Sequence, residues 1–329
     1  MLSATRPSVN RGPRLAEGER AYLADGERGE GMRPKRGHPL RRGSSRSDFD
    51  AGRRGPYNAG VLDPLHLSLQ HEEVPPRGFL GRVGLTLAYL GRLVALHTLT
   101  VSLLVRLRIE WALTIAQMAA VGVASLPVVA ATTLLSGMVL GYHVAVQAGQ
   151  LGVSPYAGWL VAETMCRELG PVLAAFVVAA RAGSAMTAEL GTMKVTEQID
   201  ALRALATDPV EYLVVPRYLA AVAMLPVLTF LGDVVGVLGG YLMSVLTPQI
   251  NEAVYFSAIP SHLEAWTVIA GVLKTIVFGM IIALVCCFEG ITCRPQSEEV
   301  GRATTRSVVY CIVLVYVADV VLTAILYPG

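Results

Sequence analysis

Ionisable side chains interrupt the long apolar runs of this sequence at Glu168, Asp233, Lys274 and Asp319. A charged residue inside a membrane helix costs roughly 2.5–3.5 kcal/mol on insertion scales, so each of these residues needs a physical reason to be there. One interpretation is a polar cavity that opens outward and holds a ligand with a charged headgroup. The alternative is a set of buried ion pairs that fix the register of the helices.

Other residue types with chemical potential are scattered. The cysteines lie in or beside apolar runs, and none forms a CxxC pair or lies at His-ligand spacing, so we expect no disulfide framework and no metal site. The GxxxxGK[ST] phosphate-binding motif is absent from the sequence. We therefore expect no catalytic residue and no cofactor in this chain, and any dependence on ATP must come from a partner protein.

The composition is that of an integral membrane protein. Of the 329 residues, 53% are hydrophobic and 16% are charged, whereas soluble domains carry about 25% charged residues. Residues 1–75 differ from the rest, being rich in Arg, Gly, Pro, Ser and Glu without apolar periodicity, and they are predicted to be a disordered extension. A transit peptide is the alternative, although such peptides are poor in acidic residues. Met32 is a further candidate start site.

The apolar pattern predicts an all-α protein. Arginines interleaved with apolar residues at helical spacing over 76–110 predict an amphipathic helix in the membrane interface, with a soluble helix on a partner as the alternative. A crossing needs about 20 apolar residues. Five crossings are predicted, at roughly 119–146, 163–189, 210–246, 266–289 and 304–326. The third is long, so we expect that Pro216 and Pro226 kink it or that its first turns lie outside the hydrocarbon core.

Basic residues in the short loops predict the orientation. The loops 147–162 and 247–265 contain no Lys or Arg, whereas 190–217 and 290–306 contain several of them. This bias predicts a cytoplasmic N-terminus and a C-terminus on the outer side.

The predicted orientation also assigns a depth to each charged residue. Glu168 and Lys274 fall at comparable depth in the outer half of the membrane. Arg181 and Glu189 fall near the cytoplasmic end of the second crossing, where snorkelling to the interface explains them.

The segment between the second and third crossings is amphipathic. After Gly191, the residues Val195, Ile199 and Leu202 share one face of a predicted helix over about 193–207. Asp208 and Pro209 then suit the N-cap and first position of the next helix. The result is a stiff elbow able to move two crossings together, or else a simple interfacial helix.

Small residues recur at helical spacing within the crossings. Gly137 and Gly141 form a GxxxG pair, and a run of glycines four residues apart spans 232–240. Such residues let helix backbones approach closely in lipid, so we expect them to be packing positions.

Three segments closely resemble the MlaE/YrbE permease family, the membrane subunits of ABC-type intermembrane lipid transporters: ELGPVLAAFVVAARAGSAMTAELGTMKVTEQIDAL (168–202), DPVEYLVVPR (208–217) and GRATTRSVV (301–309). The resemblance covers about 76–329. It implies a homodimer that holds phospholipid or a related lipid in an outward-open cavity. It also implies a cytoplasmic ABC ATPase, which holds ATP and Mg²⁺, an MCE-domain protein in the periplasm, in many cases a STAS-domain protein, and no nucleic acid.

The resemblance also implies roles for particular residues. It matches Glu168 and Lys274 to polar positions near the lipid pocket, and the predicted depth of Asp233 and Asp319 adds these two residues as cavity candidates. The residues expected to couple to the ATPase are Lys194, Val195, Glu197, Gln198, Ile199, Asp200, Leu202 and Arg203. The structural motif positions are Gly170, Pro171, Gly183, Gly191, Asp208, Pro209, Arg302 and Arg306.

The implied location is the bacterial inner membrane, with the chloroplast inner envelope as the alternative. Two other functions remain open. The first is an ion-coupled secondary transporter in which Glu168, Lys274 and Asp319 relay protons, although no inverted repeat supports it. The second is a structural membrane anchor for an envelope complex.

Overall fold

The computed structural model describes residues 79–106, 109–246 and 250–327, so the extension predicted over 1–75 lies outside the described residues. Within these ranges, all regular structure is helical. We number the helical segments in chain order: α1 Phe79–Val105, α2 Trp111–Leu151, α3 Ser154–Val195, α4 Gln198–Ala204, α5 Val210–Leu246, α6 Glu252–His262, α7 Ala265–Thr292 and α8 Ser297–Leu326.

Six of the described helices are long and apolar enough to cross a membrane. Five of them, α2, α3, α5, α7 and α8, correspond to the predicted crossings, each extending beyond or matching the predicted bounds. The sixth is α1, which qualifies because Arg92 is the one Lys, Arg, Asp or Glu in its Val83–Val105 portion. The all-α integral membrane fold is confirmed, with one more candidate crossing than the sequence predicted.

Helix α1 contacts the bundle at the end where α4 lies, which we call the α4 end. The Tyr89 ring lies 5.4 Å from the Phe288 ring, close to where α7 ends. The His97 ring lies 5.9 Å from the Tyr218 ring, near the start of α5. These contacts place Tyr89 and His97 beside α7 and α5, and the interfacial position of α1 stays a prediction.

Helix α5 lies at the centre of the bundle, with α2 on one side and α7 on the other. Gly137 of α2 packs directly on the backbone of Gly236, and Gly141 packs on Gly240 one turn further along. A Cβ atom at either α2 position would overlap the facing carbonyl oxygen. The glycines thus serve the close helix packing that the sequence predicted.

Substituting Gly137 by alanine is expected to destabilise the protein by about 1–3 kcal/mol, because the new methyl group forces α2 away from α5. Gly91→Ala is the matched control, since a Cβ there meets nothing within 4 Å. In a helix interior that change should be neutral or stabilising by up to about 1 kcal/mol. Thermal unfolding in detergent measures both; equal melting temperatures for the two variants would contradict the packing role.

Several long helices contain a π-helical turn: Ala119–Val123 in α2, Met165–Leu169 and Ala179–Gly183 in α3, and Val210–Val214 in α5. Such turns disturb the regular backbone hydrogen bonding and occur frequently at functional sites. Helix α5 continues through Pro226 without a break, and its irregular turn precedes Pro216. The predicted disturbance of α5 is therefore located at its first turns.

Candidate functional site

Lys274 of α7 is completely buried and anchors a polar cluster at the end of the bundle opposite α4. Its ammonium group donates to Glu168 Oε2 at 3.1 Å and to Asp319 Oδ1 at 3.0 Å. It also donates to Thr323 Oγ1 at 2.6 Å, and that hydroxyl donates to Glu168 Oε1 at 3.1 Å. The cluster therefore joins α3, α7 and α8.

The ELGP motif explains a further contact of Lys274. Pro171 has no N–H, so the carbonyl of Arg167, four residues earlier, lacks its usual helical donor. Lys274 Nζ donates to this carbonyl oxygen at 3.1 Å. The proline thus creates an acceptor inside α3, and the lysine of α7 satisfies it.

Arg167 and Tyr327 form the rim of the cluster. The guanidinium carbon of Arg167 lies 3.9 Å from the centre of the Tyr327 ring, a favourable cation–π arrangement. The same side chain lies 3.6 Å from Glu163 and 3.9 Å from Glu168. Tyr327 OH donates to the carbonyl of Thr267 at 3.1 Å. These contacts hold the end of α8 against α3 and α7.

The arrangement separates structural from accessible groups. The three protons of Lys274 face four acceptors, which leaves this side chain nothing to offer a ligand. By contrast, the Arg167 and Glu168 side chains are 37% and 35% exposed. Lys274 and Asp319 thus fix helix register, whereas Arg167 and Glu168 are able to contact a ligand at the rim.

Asp233 of α5 lies apart from this cluster. Its carboxyl group packs against Gly170 of α3, and neither oxygen has a hydrogen-bond partner among the described residues. The structure therefore brings three of the four cavity candidates together. Asp233, on α5, instead packs against a different face of α3. In sequence, depth alone placed all four on the same side.

Helix α4 forms the elbow between α3 and α5. It spans Gln198–Ala204, shorter than the predicted 193–207, because α3 continues to Val195 before the chain turns. Glu197 and Ala206, at its two ends, have φ angles of 59° and 57°. These left-handed residues reverse the chain sharply on both sides of α4.

An ion cluster and a buried anchor hold α4 in place. Lys194 of α3 lies 3.1 Å from Asp200, and Arg203 lies 2.9 Å from the same carboxylate. The hydrogen bond from Lys194 holds the pKa of Asp200 below its ordinary value of 3.8. Ile199 is fully buried, whereas Leu205, just after α4, is 76% exposed.

The predicted coupling residues divide in the same way. Among them, Ile199 faces the bundle, whereas Lys194, Val195 and Leu202 are half-buried. The residues exposed to a partner are Glu197, Gln198, Asp200 and Arg203. A docking protein would therefore meet a charged surface with Leu205 beside it.

The predicted helix start after the elbow is present. Asp208 Oδ1 accepts a hydrogen bond from the backbone N–H of Val210 at 2.8 Å, which caps the first turn of α5. Pro209, directly before α5, already has helical backbone angles, and its missing N–H has no cost there.

Residues 114–325 match the family model of the permease MlaE. The chain belongs to the MlaE permease family. A probable ABC transporter permease protein of Rickettsia typhi is 41% identical over 211 residues, which is 64% of this chain and 82% of that protein. The intermembrane phospholipid transport system permease protein MlaE of Haemophilus influenzae is 36% identical over 223 residues, 68% of this chain and 85% of that protein.

A plant relative also matches this MlaE-family permease. The chloroplastic protein trigalactosyldiacylglycerol 1 of Arabidopsis thaliana is 36% identical over 222 residues, 68% of this chain and 63% of that protein. Together with its apolar helices, these matches make the chain a multi-pass ABC transporter permease.

The GRATTR motif of this permease lies at the start of α8. Arg302 pairs with Glu298 at 2.7 Å and with Glu299 at 3.2 Å. Arg306 reaches across to Glu289 of α7, at 2.7 Å. The motif therefore ties α8 to α7 at the α4 end, through Arg306.

The glycines of the permease motifs serve packing. A Cβ on Gly183 would lie 2.8 Å from Cys286 Sγ, and one on Gly191 would lie 3.1 Å from Val300. Both glycines thus let α3 approach its neighbours α7 and α8 closely.

Sequence reasoning did not predict the ion pair between Glu189 and Arg217 of the permease. Glu189 of α3 lies 2.7 Å from Arg217 of α5, whose side chain is 5% exposed. Arg217 also donates to the carbonyl of Leu213 at 2.8 Å. Snorkelling had been predicted for Glu189, but the structure gives it a partner. The sequence did contain a signal for this pair, because an acidic residue precedes the short elbow and a basic residue follows it.

Proposed function

We propose that this MlaE-family permease is the membrane subunit of an ABC-type transporter that moves phospholipid, or a related lipid, between membranes. The name of the Haemophilus influenzae relative, a permease of intermembrane phospholipid transport, supports this substrate. In this proposal, the permease acts as a homodimer whose halves enclose an outward-open lipid cavity. It contains no catalytic residue, and a separate cytoplasmic ATPase binds ATP and Mg²⁺.

The observation that carries the proposal is the geometry of α4. This short helix joins two membrane-length helices, the buried Ile199 anchors it to the bundle, and the Lys194–Asp200 ion pair links it to α3. The Glu189–Arg217 ion pair also joins α3 and α5 beside the elbow. A push on α4 is therefore transmitted to both helices, as a permease driven by a separate ATPase requires.

The Lys274 cluster supplies the other end of the mechanism. Arg167 and Glu168, at its accessible rim, are placed to contact a lipid headgroup. Lys274 and Asp319 hold α3, α7 and α8 in register behind them. Movement of α3 then changes the rim and releases or admits the lipid. Asp233, buried elsewhere, contributes to the α3–α5 contact in this proposal.

Partners and location follow the same proposal. The permease lies in the bacterial inner membrane with its N-terminus in the cytoplasm and its C-terminus in the periplasm. An MCE-domain protein receives or delivers lipid on the periplasmic side, and a STAS-domain protein accompanies the ATPase. The plant relative keeps the chloroplast inner envelope as the alternative location.

Reconstitution in vesicles tests the function. We expect transfer of a fluorescent phospholipid to an acceptor to require the cytoplasmic ATPase and ATP, and to stop with vanadate. A control with a collapsed proton gradient should transfer lipid at the same rate. Transfer driven by a proton gradient without the ATPase would instead identify a secondary transporter.

A second experiment tests the alternative that the protein is a structural membrane anchor. The neutral variant Glu168→Gln, in the same vesicles, should reduce transfer while leaving the assembled complex intact. Assembly and transfer both unchanged by this variant would favour a structural anchor.

A further inference from the structure

A polar cavity lies between α2 and α3, away from the Lys274 cluster. It has a volume of about 470 Å³. Its polar lining residues are Gln117 of α2 with Arg181 and Glu189 of α3, and the remaining lining is alanine, valine and methionine. Arg181 and Glu189 are eight residues apart, or about 12 Å along the helix at 1.5 Å per residue. The cavity is thus a groove along α3, with Glu189 toward the α4 end and Arg181 about two turns further from that end.

Two π-helical turns meet at this groove. Ala119–Val123 of α2 contributes Ala120 and Val121 to the lining, and Ala179–Gly183 of α3 contributes Arg181 and Ala182. Arg181 Nη1 donates to the carbonyl of Ala120 at 3.4 Å and to Ser125 Oγ at 3.2 Å. One nitrogen of the guanidinium is therefore held by α2.

The opposite edge of the guanidinium is available. Among the described residues, neither Nε nor Nη2 of Arg181 has a hydrogen-bond acceptor or an ion-pair partner. These two nitrogens form a planar edge that binds carboxylate or phosphate through two parallel hydrogen bonds. The Arg181 side chain is exposed in the groove, so this edge of the guanidinium is accessible to a bound anion.

The charge balance of the groove also favours an anion. Glu189 is the acidic residue in its lining, but this carboxylate is committed to Arg217 at 2.7 Å. Arg181, Glu189 and Arg217 together carry a net charge of +1 when all are ionised. The positive charge of Arg181 is therefore left without a counter-charge in the groove.

We propose that this groove binds the phosphate group of a phospholipid from the leaflet at the α4 end, through the Nε–Nη2 edge of Arg181. The surroundings favour a lipid over free phosphate. In the groove lining, Ala120, Ala124 and Ala185 are exposed, and they offer an apolar surface for the acyl chains. The choice of a phospholipid rests on the proposed function, whereas the anion site rests on the geometry of Arg181.

Native mass spectrometry of the purified full-length permease tests the site. The probe is phosphatidylglycerol, titrated into detergent solution, with diacylglycerol and inorganic phosphate as comparison ligands. We expect Arg181→Gln to lose one bound phosphatidylglycerol or to weaken its binding at least tenfold. Arg181→Lys should retain part of the binding. Diacylglycerol, which lacks phosphate, should not occupy the site.

Arg302→Gln is the matched control, because it removes one exposed arginine at the α4 end. It should leave phosphatidylglycerol binding unchanged. Equal losses of binding in Arg181→Gln and Arg302→Gln would show that the lipid responds to overall positive charge, which would overturn the proposed site. Thermal unfolding and size-exclusion chromatography check that Arg181→Gln is folded, and Arg181→Lys tests the site if it is not.

Three other outcomes would also overturn the proposal. Binding of phosphatidylglycerol that is insensitive to both Arg181 variants removes the site. Arg181-dependent binding of inorganic phosphate without phosphatidylglycerol makes free phosphate the ligand. If the Arg181 variants bind lipid normally but change the oligomeric state, Arg181 instead pairs with an acidic residue of a second copy of the permease. Because the assay requires no ATPase and no lipid transfer, its failure is distinguishable from failure of the proposed function.

Discussion

Replacing Lys274 with methionine is expected to destabilise the permease by about 3–5 kcal/mol, the range for removing one partner of a buried ion pair. The change leaves Glu168 and Asp319 without their shared positive charge, and the carbonyl of Arg167 without its donor. Like charges close together in a buried site also repel each other. Helices α3, α7 and α8 would lose the contact that sets their register.

Lys194→Met is the matched control for this prediction. Lys194 also pairs with a carboxylate at 3.1 Å, but its partner Asp200 is 48% exposed. Exposed ion pairs contribute about 0–1 kcal/mol, so the control should unfold close to the wild-type temperature. Thermal unfolding of both variants in the same detergent measures the difference, and equal shifts would refute the structural role of Lys274.

A rescue variant separates the two roles of the cluster. Adding Glu168→Gln and Asp319→Asn to Lys274→Met removes the uncompensated charges and should recover much of the lost stability. If the rescued protein is folded but transfers lipid poorly, the charged rim contributes to lipid handling. If the rescued protein transfers lipid at the wild-type rate, the only role of the cluster is to set the register of α3, α7 and α8.

Changing Leu205 to glutamate is expected to weaken binding of the cytoplasmic ATPase at least a hundredfold without unfolding the permease. Leu205 is 76% exposed beside α4, so its replacement should change the fold little. An exposed apolar side chain on a docking surface contributes binding energy when the partner buries it. A carboxylate buried at the same interface without a partner would be costly.

Leu151→Glu provides the control, because Leu151 is also 76% exposed but lies at the end of α2, away from α4. Titration of the ATPase against each purified variant gives the affinities, and unfolding temperatures report on the fold. The proposal predicts normal ATPase binding for Leu151→Glu. Wild-type affinity for Leu205→Glu would place the ATPase elsewhere on the permease.

Local chemistry in the sequence was enough to predict the membrane helices and the elbow. An apolar run of about 20 residues is a property of consecutive residues, so α2, α3, α5, α7 and α8 were predicted near their observed bounds. The Asp208-Pro209 cap was predicted for the same reason, since a cap involves neighbours in sequence. Helix α1 was harder, because its composition suits both an interface and a crossing.

Contacts between helices could not be predicted in this way. Sequence places a charge at a depth, but its direction around the helix axis and the identity of the facing helix depend on packing. Glu168, Lys274 and Asp319 meet, whereas Asp233 packs elsewhere on α3. The Glu189–Arg217 pair and the groove at Arg181 arise for the same reason. Each depends on helices that are separate in sequence and are brought together by close packing in the folded bundle.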